Sequence, residues 1–188
     1  MYRLQKVIVL VDTSEYMKKN ARAVRQALHL IDKTLKSYKN YEVRTTLHII
    51  AYDDKAHYVS RNCIDSIRFS GRSNLANALN KLREIYSANS MYTYPPLVLL
   101  LSSGCTNKEY KEAINQLRLR NAFQFSSKLA FTYNTNCKNT AQTFKDFAGR
   151  DVFYGDDLKT MKKVLIEKLP KLVITKNKNK EFYYGREN

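Results

Sequence analysis

Two uninterrupted apolar runs, VIVLV at 7–11 and LVLLL at 97–101, constrain this chain more than any other feature. Successive side chains of a strand point to opposite faces, so a strand with one wet face alternates apolar and polar residues. A run that is apolar at every position needs cover on both faces, which a sheet receives from two layers of helices. Neither run approaches the roughly 20 apolar residues of a membrane-spanning helix. No signal-peptide pattern opens the chain, so a cytoplasmic setting is expected.

The segments between apolar runs supply those helices. Strands are expected at 6–11, 96–103, 127–133 and 151–154, and helices at about 18–37, 74–90, 107–120, 140–146 and 158–169. Ala23, Ala27, Leu30, Ile31 and Leu35 recur at helical spacing in the first helix, and Leu75, Leu79, Leu82 and Tyr86 in the second. Ser73 or Asn74 stands where a cap would open the second helix, and Pro170 follows the last one. VRTTLHIIAY at 43–52 and AHYVSRN at 56–62 are separated only by Asp53, Asp54 and Lys55. So short a link excludes a crossover helix and makes these two an antiparallel hairpin, with the second strand at a sheet edge. The expected architecture is a three-layer α/β/α sandwich, a doubly wound and mostly parallel sheet with one antiparallel edge strand. It occupies 1–170, and 171–188 reads as a basic tail carrying Phe182, Tyr183 and Tyr184.

The chain has 188 residues, enough for one domain with a full core. Its 33 Lys and Arg against 17 Asp and Glu give a net charge of +16, which favours anionic partners: nucleic acid or acidic protein surfaces. Cys63, Cys105 and Cys137 form an odd set without CxxC spacing, which argues against a disulfide framework and a zinc ribbon. Cys105 as a nucleophile would need a basic partner, and His29, His48 and His57 make no recognisable signature with it.

In an open α/β sheet, ligands bind beyond the carboxyl ends of the strands. Three segments converge there: DTSEY after the first strand, SGRSNLANAL before the second helix, and LLLSSGCTN after the central strand. Their order and local patterns resemble the von Willebrand factor A family over roughly 2–169, most closely the small bacterial members associated with tellurite resistance. The family pattern is a DxSxS turn, a threonine at a helix entrance and an Asp-Gly after the fourth strand. The resemblance implies a non-enzymatic binding domain. It also implies a metal-ion-dependent adhesion site in which hydroxyls and aspartates surround Mg²⁺ and a partner's carboxylate completes the shell.

This chain matches that pattern in part. Asp12 and Ser14 match the start of DxSxS, Tyr16 stands where the second serine belongs, Ser73 replaces the threonine, and Ser103 stands where the second aspartate belongs. One carboxylate remains, and Tyr16 is expected to fill volume an ion or its waters would need. The expectation is a degenerate adhesion site built from Asp12, Ser14, Tyr16, Arg72, Ser73 and Ser103, without a cofactor. It would bind an acidic partner group, with Arg72 and Lys18 as counter-charges and helix N-termini favouring anions. The implied setting is a bacterial or phage stress or defence assembly. Two alternatives remain open: a working Mg²⁺ site held by Asp12, Ser14 and Ser73, and nucleic-acid binding by the basic surface and tail. Asp12, Ser14 and Ser73 also have a plain reading as helix caps, and Asp53 and Asp54 as turn residues. Tyr92 and Tyr94 read as exposed interface anchors.

Overall fold

Val7–Val11 and Leu97–Leu101 lie side by side as the middle of one sheet, every residue fully buried. The computed structural model describes residues 3–38, 43–87, 93–133, 140–170, 174–176 and 182–184. Strands β1 (Arg3–Asp12), β2 (Val43–Tyr52), β3 (Ala56–Val59), β4 (Thr93–Ser102), β5 (Ser127–Thr132) and β6 (Val152–Tyr154) form a sheet ordered β3-β2-β1-β4-β5-β6. All neighbours pair in parallel except β2 and β3, whose antiparallel pairing puts β3 at the edge. The strand order reverses between β1 and β4, which makes that point the crevice where an open α/β sheet binds its ligands.

Helices α1 (Ala21–Ser37) and α6 (Leu158–Lys168) cover one face of the sheet. Helices α2 (Leu75–Ser87), α3 (Tyr110–Arg118), α4 (Asn121–Gln124) and α5 (Thr140–Ala148) cover the other. Alternate residues of β1 divide between the two cores, Val7, Val9 and Val11 to the α1 side and Ile8 and Leu10 to the α2 side. Helix α1 buries Val24, Ala27, Leu28, Ile31 and Leu35, with Ala23 and Leu30 at the margin of that stripe.

The element boundaries differ from expectation where tertiary packing overrides local pattern. The first helix opens as a 3-10 segment, Glu15–Asn20, before α1 begins. Strand β3 stops at Val59, and Arg61–Ser66 turns as a second 3-10 segment that buries Ile64 in the α1-side core. The single helix expected at 107–120 breaks at Arg120, whose extended backbone (φ −96°, ψ 118°) lets α4 insert Phe123 into the α2-side core. Strand β4 begins before Pro95 and Pro96, and the β1–β4 register shifts between Gln5 and Val7. Proline has no N–H to donate, so the ladder is interrupted there, and the Gln5 Nε2 donates to the Pro95 carbonyl instead.

Tyr94 thus belongs to β4 and is half-buried, with the Arg3 guanidinium 5.6 Å from its ring centroid. Tyr92 lies outside the described residues. In the segment read as a basic tail carrying aromatics, β7 (Ile174–Lys176) and β8 (Phe182–Tyr184) pair antiparallel as a separate two-stranded sheet. Leu99→Ala at the centre of the sheet should lower unfolding free energy by about 2–5 kcal/mol in chemical denaturation, through lost burial plus the cavity left behind.

Candidate functional site

Asp12 ends β1 at the point where the strand order reverses, and its carboxylate is fully buried. A buried charge is tolerated only when its oxygens are hydrogen-bonded. Oδ1 accepts from the Ser14 N–H at 3.0 Å. Oδ2 accepts from Ser73 Oγ at 3.2 Å, Ser102 Oγ at 3.1 Å, Ser103 Oγ at 2.8 Å and the Ser103 N–H at 3.3 Å. The donors come from the β1 loop, the loop entering α2 and the end of β4, so the three segments picked from the sequence do converge on one atom group.

The donors are themselves held in place. Ser102 Oγ accepts from Tyr52 Oη at 3.1 Å and from the Gly104 N–H at 2.9 Å while donating to Asp12. Ser103 Oγ accepts from the Cys105 N–H at 3.2 Å. Gly104 sits at φ +75°, and a Cβ there would lie 2.9 Å from the Thr140 Cα, so only glycine turns the chain at that point. Backbone bonds from Ser70 N to Thr13 O and from Glu15 N to Gly71 O tie the loop before α2 to the β1 loop.

The capping readings fail in an informative way. Ser14 precedes the first 3-10 segment, yet its hydroxyl makes no cap bond and is buried without a partner. Ser73 donates to Asp12, and the first N–H of α2, that of Leu75, goes to Thr106 Oγ1 at 3.0 Å, a residue of the β4 loop. The Asn74 N–H goes to the Asp53 carbonyl. The Asn74 and Leu75 N–H groups at this helix entrance are therefore already engaged. Asp53 is a turn residue, its Oδ1 accepting from the Lys55 N–H, and Asp54 holds the neighbouring loop by accepting from the Arg72 N–H.

Of the candidate residues, Asp12, Ser14, Ser73 and Ser103 are buried, while Tyr16, Arg72, Lys18 and Glu15 reach solvent. Tyr16 is 54% exposed, which corrects the expectation that its ring plugs the crevice: the 3-10 turn carries it outward. Cys105 is disulfide-bonded and Cys63 is an exposed free thiol, a single bridge that the cysteine spacing did not announce. A disulfide needs only proximity in space, and residues distant in sequence meet in the fold. Tyr52 and Thr106 complete the network without having been singled out by the sequence, and Ser102, which reads from the sequence as a loop hydroxyl closing the strand, donates to Asp12. The Ser102–Ser103 doublet was the one local hint, and nothing local marks Tyr52 or Thr106.

Tyr52 gives the site a pH signature. Burial first, and the Asp12 charge second, push its phenol well above the ordinary 10.0, while the Ser102 and Ser73 hydroxyls pull more weakly the other way.

Solved structures similar in fold to this chain include von Willebrand factor A domain proteins. The vWF domain of the type V pili tip protein Mfa5 from Porphyromonas gingivalis has a TM-score of 0.68 at 11% identity, covering 92% of this chain and 99% of that one. A von Willebrand factor type A protein from Catenulispora acidiphila has a TM-score of 0.64 at 13% identity, covering 88% of this chain and 42% of that one. Proximal thread matrix protein 1 of the mussel byssus, with a zinc-occupied MIDAS motif, has a TM-score of 0.62 at 14% identity, covering 88% of this chain and 45% of that one. This chain spans less than half the length of the Catenulispora and mussel proteins. At such identities the likeness is one of fold, and the fold is von Willebrand A-like. No family description and no curated protein sequence matches the chain.

Asp12→Ala leaves five buried donors without their acceptor and should lower stability by about 3 kcal/mol or more, read by urea denaturation. A second expectation concerns alkali. The fold binds the neutral Tyr52 phenol, whereas an unfolded tyrosine ionises near pH ~10. Stability should therefore be whole below that pH and fall as pH rises beyond it, and Tyr52→Phe should flatten the slope.

Proposed function

We propose that this chain is a non-enzymatic protein-interaction module whose adhesion-type rim is held by hydrogen bonds instead of a metal ion. The observation that supports this reading is the saturation of Asp12, whose five donors include both polar groups of Ser103, the residue at the second aspartate's position. A hard divalent ion is bound by several oxygen ligands, usually including one or two carboxylates. Here Asp12 is the one carboxylate in the cluster, and among the described residues no three His, Cys, Asp or Glu side chains gather as a metal group. The Ser14 hydroxyl and the Asn74 Oδ1 are buried oxygens left without a partner, and neutral oxygens add no charge to offset dehydration of the ion. The donor set does not fit Mg²⁺ or a similar ion.

Recognition then falls to the exposed groups around the buried knot. Arg72 and Tyr16 are exposed on the two loops that the bond from the Glu15 N–H to the Gly71 carbonyl ties together, with Lys18 exposed two residues beyond Tyr16, inside a chain of net charge +16. An exposed tyrosine beside an arginine suits an acidic protein surface, since both residue types are enriched where binding energy concentrates. The likeness to tellurite-associated proteins adds a bacterial stress or defence assembly as the setting. The Cys105 disulfide favours an oxidising compartment over the reducing cytoplasm expected from the sequence.

The test is a pull-down with the full chain and its Arg72→Glu variant. Loss of the bound protein by at least tenfold in Arg72→Glu, with unchanged melting temperature, is expected. Equal recovery with both overturns the acidic-partner reading. Millimolar Mg²⁺ or Mn²⁺ should leave the melting temperature unchanged, because a ligand stabilises the native state only by RT ln(1 + [L]/Kd). A rise that Asp12→Ala abolishes would restore the metal site. Oligonucleotide binding that weakens by decades between ~50 and 200 mM salt would instead favour nucleic acid as the partner.

A further inference from the structure

At the other end of the same rim, beyond β5 and β6, a cavity of about 500 Å³ is lined by Asn20, Tyr133, Tyr154, Asp156 and Asp157. It shares no residue with the Asp12 cluster, and its character is the opposite of the chain's. Among the described residues no lysine or arginine lines it, although the whole molecule carries +16. Tyr133 is 2% exposed, and its hydroxyl is buried with no hydrogen-bond partner. A buried unpartnered hydroxyl is costly, by about 1–3 kcal/mol, and such groups call for an explanation. Gly155 makes room for it: a Cβ there would lie 2.3 Å from the Tyr133 ring, so only glycine lets the ring lie flat against the backbone.

The other walls are chemically consistent. Asp156 is exposed, and its charge reaches Tyr133, adding to burial in raising that phenol's pKa and keeping it neutral. Asp157 accepts from the Thr160 N–H as the cap of α6, and its carboxyl is held below the ordinary range by the Thr160 side chain first, by that N–H second and by Lys159 more weakly. Asn20 precedes α1 but makes no cap bond with its side chain. Tyr154 is 71% exposed, an aromatic face at the mouth.

We infer that this cavity binds an alkylammonium or guanidinium group. Two carboxylates supply the charge, the exposed Tyr154 ring supplies cation–π attraction, and the unpartnered Tyr133 hydroxyl and the Asn20 amide oxygen accept N–H donors. An anion is opposed by both aspartates. A bare metal ion is poorly served, because Asp157 is already committed to a backbone N–H and a space of this size suits a small organic ligand. The cation is either a lysine or arginine side chain of a partner protein or a free polyamine.

The experiment is an NMR titration of the full isotope-labelled chain with three probes: spermidine, a short acetylated and amidated lysine peptide, and the same peptide acetylated on its ε-nitrogen. Saturable shifts at the amides of Tyr154, Gly155 and Asp156 are expected with a cationic probe and not with the ε-acetylated one. Asp156→Asn, at an exposed position that leaves the fold intact, should weaken binding at least fivefold. Tyr133→Phe, which keeps the ring against Gly155, should do the same while the melting temperature holds. Response to spermidine alone identifies a polyamine site, and response to the lysine peptide identifies a side-chain site. No response to either cation, an equal response to the ε-acetylated peptide, or undiminished affinity in Asp156→Asn overturns the inference.

Discussion

The rim of this molecule is organised by one buried carboxylate. Removing an ion from water costs several kcal/mol, and only well-placed donors offset that. Asp12 obtains them from residues far apart in the chain: Ser14 beside it, Ser73 at the entrance of α2, and Ser102 and Ser103 at the end of β4. The carboxylate therefore pins three loops at once, and their conformations are solved together. The hydroxyls also polarise one another, since Ser102 receives the Tyr52 proton donor as it gives its own to Asp12, an arrangement stronger than isolated pairs.

Sheet topology explains why this happens at that place. Loops after β1 and β4 diverge to opposite faces where the strand order reverses, and they leave a gap that polar side chains must fill. Serine is small enough for four of them to crowd around a single carboxylate. Glycine at 104 and 71, both at positive φ, lets the flanking loops fold back over the cluster. Thr106 then reaches from the β4 loop to the first N–H of α2, so the helix entrance is fixed by a neighbour instead of by its own cap.

The distribution of charge along the rim is uneven in a useful way. Exposed Arg72 lies on the loop tied to the β1 loop by the Gly71 carbonyl, while Asp156 and Asp157 line the cavity beyond β6. In a strongly basic chain the acidic corner is the exception, and the same cavity holds the Tyr133 hydroxyl without a partner. A partner that touches both ends would meet opposite charges, which fixes orientation as well as strength.

The sequence by itself determined the layers. Runs apolar at every position demand cover on two faces, and the short Asp53–Lys55 link demands a hairpin, so the sandwich and its antiparallel edge were legible before any coordinates. It also marked Asp12, Ser14 and Ser103 at the ends of strands and Ser73 at a helix entrance, positions that the resemblance to the von Willebrand A family groups in one site. Tertiary structure decided what those residues do. Whether Ser73 caps a helix or serves Asp12, whether Tyr16 fills the crevice or leaves it, and whether Cys105 is free or bonded depend on distances between segments remote in sequence. Local propensity carries no information about such distances. The proline break in β4, the Thr106 cap and the cavity around Tyr133 belong to the same class, since each arises from the packing of elements that no short stretch of sequence contains.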